Sequence, residues 1–406
     1  MLRNKTISSD DFNYMKVSLA LGSYIWDVAG NRFLDFTSGW NTANLGWNNP
    51  EIADAVRLQN EKLPYAHFWN STDIQDHYAE QLLDALPDGF LYVARATGGT
   101  EANEMAIKTA RIFTRRKKIL GFNGSYHGQT FGLLKFGSLT DVTLPLAGAD
   151  DFIGMDFPEK TAGKSDAEIL NDFKDDLVRH LAADDVAAIL CEPGIISGGG
   201  GTETAPIGFM KILRKVTAAH GTLIILDEVG TGFSRLGALF GMDIEGMRPD
   251  IATFAKAIAN GQGALGALVT TAEIAAATHM DSVLISTFGW LPPAVAAASK
   301  TLEIHIRDKI FDSARKNGGY IMGVLADELD GCPYFDAING IGMEIGVSFN
   351  RPGIVDKIVA IARQNGLYIV PGTETNIQLM PQLNIDRAEL DVGLDIFIKS
   401  VKKAVG

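Results

Sequence analysis

The feature that most constrains this chain is an alternation of short apolar runs with helix-length patterns. The runs are KKILGF (117–122), AAILCEP (187–193), TLIILDE (222–228) and ATFAKAI (252–258), each followed by Gly, Pro or an acid. Between them lie helical patterns at 100–113, 166–182 and 207–219. Such alternation predicts an α/β fold with a mostly parallel sheet covered by helices. Ligands of such sheets bind beyond the carboxyl ends of the strands, where the polar residues named below fall. From about residue 295 the pattern changes. A long helical stretch (294–318), short strands and a closing helix near 386–403 predict a second, smaller α+β domain.

Composition narrows the function classes. Lys plus Arg number 36 and Asp plus Glu 49, a net charge of −13, which argues against nucleic acid as partner. Two cysteines, Cys191 and Cys332, make no disulfide framework and suit a reducing, cytoplasmic setting. The seven histidines show no metal-ligand spacing, so no metal is expected. The opening MLRNKTISSDDF has no apolar core and reads as no secretory signal, and no run of about 18 apolar residues predicts a membrane span. Glycine is abundant, 43 residues, which suggests tight turns or backbone lying close to a ligand.

Three segments carry chemistry. In ATGGTEANEMAIKTAR (96–111), Gly98 and Gly99 open a helix whose free N–H groups suit an anion such as phosphate, and Thr100 adds a hydroxyl. The same pattern fits an ordinary loop before a helix. Glu101 would repel phosphate unless its side chain turns away, and Glu104 with Lys108 reads as an i,i+4 pair. In LIILDEVGTGFSRLG (223–237) an apolar strand ends in Asp227 and Glu228, whose side chains point to opposite faces. A buried acid there needs a metal, an Arg or a protonated ring nitrogen. A magnesium-nucleotide site would need a GxxxxGK[ST] loop, and the chain has none. Third, Lys256 ends another apolar run, where desolvation favours a neutral amine able to form an imine; a snorkelling surface lysine is the plain alternative. Together these are the three grips of a pyridoxal phosphate (PLP) site: lysine, ring-nitrogen acid and phosphate cradle.

With those residues in view, the chain resembles the class III (ω-type) aminotransferases of PLP fold type I. The similar segments run through most of its length: YIWDVAGNRFLDFTSG (24–39), NLGWNNPEIADAV (44–56), GGTEANEMAIKTAR, FNGSYHGQTFG (122–132), CEP (191–193), LDEVGTGFSR (226–235), TFGWLPPA (287–294) and LMPQLNI (379–385). The resemblance implies residues 1–45 as an N-terminal segment packing with the small domain, 46–294 as the large PLP-binding domain and 295–406 as the small domain. It implies that Lys256 forms the Schiff base and later moves a proton. Asp227 would pair with the ring nitrogen, and Val229 and Tyr126 would flank the ring. Gly98, Gly99 and Thr100 would bind phosphate. Thr287 would complete the phosphate cup of the neighbouring subunit in a homodimer, and Glu192 would orient the site. Tyr126, Val229 and Glu192 also suit plain core or capping roles.

The chain also departs from family members that act on ornithine, acetylornithine or 4-aminobutyrate. Where those have Arg after His-Gly, Glu five residues after the Glu of Glu-Pro, Gln after Asp-Glu-Val, and Arg before the C-terminal prolines, this chain has Gln129, Ser197, Gly230 and Gln378, with Gln382 for the second proline. Two guanidinium clamps for carboxylates are thus absent, and Gln supplies no charge in their place. The expected substrate is a primary amine or an aldehyde without a nearby carboxylate, such as an amino sugar or an aminoglycoside-type compound of antibiotic biosynthesis. Trp40, Trp69 and Trp290 are candidate pocket walls, with Trp40 and Trp69 equally suited to the core. An acetylornithine or 4-aminobutyrate aminotransferase, or an aminomutase or epimerase on the same scaffold, is the alternative. A non-catalytic binding module would not need Lys256.

Overall fold

The computed structural model describes residues 15–136, 150–160, 163–279 and 283–406. The chain opens with strands β1 (Val17–Leu21), β2 (Tyr24–Asp27) and β3 (Arg32–Asp35), then helices α1 (Pro50–Lys62) and α2 (Asp73–Asp84). There follow β4 (Phe90–Ala96), α3 (Gly99–Thr114), β5 (Lys118–Phe122), β6 (Phe152–Met155), α4 (Asp166–Leu181), β7 (Val186–Cys191), α5 (Phe209–Ala219), β8 (Leu223–Asp227), β9 (Ile251–Phe254) and β10 (Gly266–Thr271). The C-terminal third holds α6 (Pro292–Arg307), α7 (Ile310–Leu329), β11 (Phe335–Ile341), β12 (Glu344–Phe349), α8 (Ile354–Gln364), β13 (Leu367–Tyr368), β14 (Val370–Pro371), β15 (Asn376–Leu379) and α9 (Arg387–Val405).

The central sheet has the order β4-β10-β9-β8-β7-β5-β6. Only β10 is reversed, antiparallel to both β4 and β9, so the other strands end on one edge. Every residue of β7, β8 and β9 is buried, which is why these strands read as continuous apolar runs rather than alternating ones. Helices cover the sheet where their sequences provide starts. Ser165 and Glu168 close a capping box ahead of α4, with Glu168 Oε2 accepting from the Ser165 N–H at 2.8 Å.

The mostly parallel sheet expected from the alternation is present, and the structure is mixed α/β. Two readings need correction. The pattern at 294–318 is not one helix: α6 ends at Arg307, Lys309 turns left-handed (φ 48°), and α7 starts at Ile310. Arg307 fans out to Glu51 and Asp308 at this break, so its charges serve the turn rather than a helix face. The run at 252–258 is not one strand either, since β9 stops at Phe254 and Lys256 opens a single 3₁₀ turn.

Beyond the large sheet, β11-β12-β15-β14 form a four-stranded antiparallel sheet, and β3 pairs in parallel with β13, Leu34 opposite Leu367. The N-terminal strands are thereby tied to the C-terminal third. No helix among the described residues is long and apolar enough to cross a membrane. Cys191 is buried, Cys332 is half-exposed, and both are free.

Candidate active site

The common strand edge opens into a cavity of about 350 Å³. Its walls come from the loops after β4, β5, β7, β8 and β9 and from the residues entering β10. Lys256, Asp227, Glu192, Tyr126, Val229, Gly98, Gly99 and Thr100 all line it. Residues separated by up to 158 positions in the sequence therefore converge there.

Asp227 ends β8 and is 3% exposed. Its Oδ2 accepts from His127 Nδ1 at 2.7 Å and from Asn103 Nδ2 at 2.8 Å; its Oδ1 accepts from the Val229 N–H at 2.9 Å. Asn103 is itself fixed, donating to the His127 carbonyl at 2.9 Å and accepting from Thr253 Oγ1 at 2.6 Å. The carboxylate is thus held at one orientation by three donors, with a lone pair on Oδ1 left for a further one. Glu228 points to the other face and accepts from the N–H groups of Gly241 (2.9 Å) and Met242 (2.7 Å). Burial pushes its carboxyl up to about 7. The acid on the far face, fully buried, is held by two backbone N–H groups and the Thr231 hydroxyl (2.8 Å), whereas the cavity-facing acid is held by His and Asn side chains that sequence reasoning did not assign. His127 sits inside the Tyr-His-Gly turn, 100 positions from the acid, and Asn103 stands mid-helix with no local signature.

Lys256 sits at φ 48°, a left-handed conformation that costs on the order of 1 kcal/mol or more outside glycine and clusters at functional sites. Burial lowers its pKa, opposed chiefly by the nearby Glu192 and Asp227 carboxylates. Desolvation thus favours the neutral, nucleophilic amine. Glu192 follows β7; its oxygens accept from the Ser197 N–H (2.7 Å), Ser197 Oγ (2.6 Å) and the Gly198 N–H (3.2 Å). Burial raises its pKa, with the neighbouring His127 opposing.

The helix α3 presents Gly98, Gly99 and Thr100 to the cavity. Glycine is required at 99 because a Cβ would lie 2.9 Å from both γ-carbons of Val229. Glu101 turns away as the phosphate reading demanded: its Oε2 accepts from the N–H and hydroxyl of Thr97, both at 2.6 Å. The expected Glu104–Lys108 pair is absent among the described contacts. Glu104 instead meets the Thr130 hydroxyl, and Lys108 Nζ donates to the Val283 carbonyl at 2.8 Å. Together, the bare helix start, the oriented acid, the desolvated amine and the walls of Val229 and Tyr126 fit a flat phosphate-bearing heterocycle.

The remaining candidates fall elsewhere. Trp290 is no pocket wall: it is 2% exposed, its Nε1 donates to the Gly266 carbonyl at 2.8 Å, and its ring packs on Tyr78, so it is core. Trp40 is half-buried at φ 62° and lies outside the cavity lining. Trp69 is 83% exposed and packed only on His67 and Phe68 among the rings, and Gln129 is exposed; neither lines this chain's cavity. Thr287 is exposed on the surface. Ser197 lies just behind the wall, bonded to Glu192. Gln378 is fully buried in β15, its Nε2 within reach of the Ser197 carbonyl (2.9 Å), Thr202 Oγ1 (3.0 Å) and Glu344 Oε1 (3.1 Å). Glu344, which the sequence left unmarked, also accepts from Asn41 Nδ2 at 2.6 Å, and burial lifts its carboxyl to about 7. Gln382 reaches the Ser23 hydroxyl.

The fold and this arrangement define a PLP-type site on a fold type I scaffold. Residues 7–401 match the family model of the class III aminotransferases, and the chain belongs to that PLP-dependent family. Among its relatives, the acetylornithine aminotransferase of Methanothermobacter thermautotrophicus is 31% identical over 92% of this chain and 90% of its own length. That of Streptococcus mutans is 30% identical over 95% and 96%. Among solved structures, an (S)-enantioselective ω-transaminase from Thermomicrobium roseum has a TM-score of 0.92 at 27% identity, covering 100% of this chain and 97% of that one. A taurine:2-oxoglutarate aminotransferase from Bifidobacterium kashiwanohense, in complex with PLP and glutamate, has a TM-score of 0.89 at 28% identity, covering 96% and 93%.

Proposed function

We propose that this aminotransferase moves an amino group between a donor and an aldehyde or ketone in two half-reactions, and that its main substrate is a primary amine or amino sugar without a carboxylate near the reacting carbon. One observation carries the substrate half of this reading: among the described residues lining the cavity there is no arginine, and Lys256 is the one lysine. Gln378, buried outside the lining, is a neutral amide packed on the buried Glu344 and supplies no bidentate partner for a carboxylate either.

When bound, PLP supplies an aldehyde that condenses with amines and a ring that accepts electrons. Lys256 is the group that would anchor it and then carry the proton at the reacting carbon, since a desolvated neutral amine serves as base near neutral pH. Asp227 would keep the ring nitrogen protonated, held in orientation by His127 and Asn103. Gly98, Gly99 and Thr100 would hold the phosphate at the helix N-terminus. Tyr126 and Val229 would flank the ring, and Glu192 would orient the loop through Ser197 and Gly198.

We also infer a homodimer in which Thr287 serves the neighbouring site. Thr287 and its neighbour Phe288 (60% exposed) are exposed, Phe288 beside Tyr65, and the preceding Ile285 and Ser286 line a surface cavity with Phe68 and Tyr92, an apolar set of the kind that subunits cover. The three-part division at 1–45, 46–294 and 295–406 is part of the same reading; residues 1–14 lie outside the described residues.

A second reading has its own support. The relatives named acetylornithine aminotransferase share about 30% identity over most of their length. A half-reaction screen separates the two. The PLP form is mixed with single amines, and loss of the bound-cofactor absorbance is followed, with Lys256→Ala as control. Faster bleaching by alkyl amines or amino sugars than by acetylornithine, ornithine or 4-aminobutyrate supports the first reading; the reverse order supports the second.

A further inference from the structure

Ser38, Gly39, Trp40 and Asn41 are four consecutive residues at positive φ, 46°, 59°, 62° and 61°. In that region the Cβ of an L-residue crowds the following carbonyl oxygen, so single residues visit it and runs do not. Such strain persists only where the surroundings over-determine it, and it gathers at functional sites. Here the C-terminal third supplies the hold. Ser38 Oγ donates to the Met380 carbonyl at 2.8 Å, and Asn41 Nδ2 donates to Glu344 Oε2 at 2.6 Å. Ser38, Asn41 and Glu344 are each 2% exposed or less. Asn41 Oδ1 has no partner among the described residues, so the Glu344 carboxyl is what anchors that side chain.

The turn leads straight into the site. Thr42, the next residue, lines the cavity, and its N–H donates back to the Ser38 carbonyl at 2.9 Å. The other oxygen of Glu344 faces a second wall loop. Its Oε1 accepts from Gln378 Nε2 at 3.1 Å, and the same amide nitrogen donates to the Ser197 carbonyl at 2.9 Å, next to the wall residue Gly198. One carboxyl thus joins the N-terminal turn, β15 and the loop after β7, while lying outside the cavity lining itself. Resting on the aminotransferase reading above, and on neither substrate class, we propose that Glu344 is a positioning residue for substrate binding. It clamps the strained turn 38–41 and, through Gln378, the loop at 197–198, so that Thr42 and Gly198 stand in the cavity wall. Without that carboxyl the turn relaxes and the wall recedes. Lys256 and Asp227 follow other strands and keep their places, so affinity for the amine falls more than the limiting rate.

The test compares the PLP-loaded wild type with Glu344→Gln and with the double variant Asn41→Asp, Glu344→Gln. Glutamine offers one acceptor where the two amides need two. The double variant reverses donor and acceptor in the same bond and keeps the charge, and Asp tolerates a left-handed backbone. Two readouts are taken. The first is amide hydrogen exchange of the peptide covering 37–43, where the N–H groups of Trp40, Asn41, Thr42 and Ala43 all donate to the Thr37 or Ser38 carbonyl. The second is the apparent Kd and limiting rate of the half-reaction, with whichever of 1-amino-2-propanol and acetylornithine the wild type consumes faster. In Glu344→Gln both the exchange rate at 37–43 and the apparent Kd are expected to rise about tenfold, the scale of one hydrogen bond to a charged group. The limiting rate and the exchange of β8 stay near wild type, and the double variant brings exchange and Kd back toward it. Exchange that rises equally in β8, an unchanged Kd, or no rescue by the double variant overturns the clamp. If neither amine reacts with the wild type, the aminotransferase reading fails instead, and the exchange comparison alone decides the clamp.

Discussion

The two sides of the cavity are built differently. On the ring side, Asp227 has three donors, and Asn103, which supplies one of them, is itself pinned by Thr253, while His127 Nε2 is buried with no partner among the described residues. On the other side, Gly230 and Glu192 line the wall, Ser197 lies behind it on Glu192, and Gln378 packs deeper against Glu344. Several buried acceptors on that side, Asn41 Oδ1 and Gln378 Oε1 among them, have no protein partner among the described residues. The contrast teaches that a densely hydrogen-bonded acid and a more sparsely held polar face can share one cavity because they hang on different loops of the same strand edge.

The largest effect that would break this comparison lies on the ring side. Asp227→Ala removes the acid proposed to pair with the ring nitrogen and leaves His127 and Asn103 without their shared acceptor. The half-reaction rate is expected to fall about 10²–10³-fold for every amine alike. A loss confined to one amine class would place Asp227 with the substrate instead.

Next comes a pH effect from the buried acid behind Gln378. Burial lifts the Glu344 carboxyl to about 7, with Arg235 opposing, against a usual value of 4.5. The folded chain then holds a proton that the unfolded chain has released between those values, so stability falls as pH rises through about 4.5–7. Glu344→Gln, an isostere without the charge, is expected to flatten that fall by on the order of a few kcal/mol, read from melting curves at pH 5 and pH 8. Glu228, also lifted to about 7 by burial, contributes in the same direction, so the slope is reduced rather than abolished. An identical slope in the variant would contradict the assignment.

The smallest effect sharpens the comparison at the helix start. Glu101→Ala frees the Thr97 N–H and hydroxyl, a capping loss of about 1 kcal/mol measurable in urea unfolding. No change would mean that the cap contributes nothing.

What could be read from the chain follows the same divide. The sheet, and the acid, glycines and lysine that meet in the cavity, were legible because backbone physics writes them in contiguous residues: an apolar run then an acid, glycines before a helix, a lysine after a run. His127 and Asn103 lie 100 and 124 positions from Asp227, and no local pattern announces a contact made by tertiary packing. Trp290 was misread for the converse reason. An aromatic beside a motif looks available for substrate, but its indole N–H found a carbonyl and its ring a core neighbour. The helix pattern at 294–318 ran on in sequence because Lys309 is an ordinary helix former, and only the left-handed turn there divides it.

The central claim is that the ε-amine of one lysine, brought beside Asp227 and the Gly98–Gly99 loop, is the group that takes the cofactor. Borohydride reduction of the PLP-loaded protein, followed by peptide mass spectrometry, tests it directly. A single phosphopyridoxyl mass on Lys256 is the predicted result; the same mass on another lysine, or none on a protein that has taken up PLP, would contradict it.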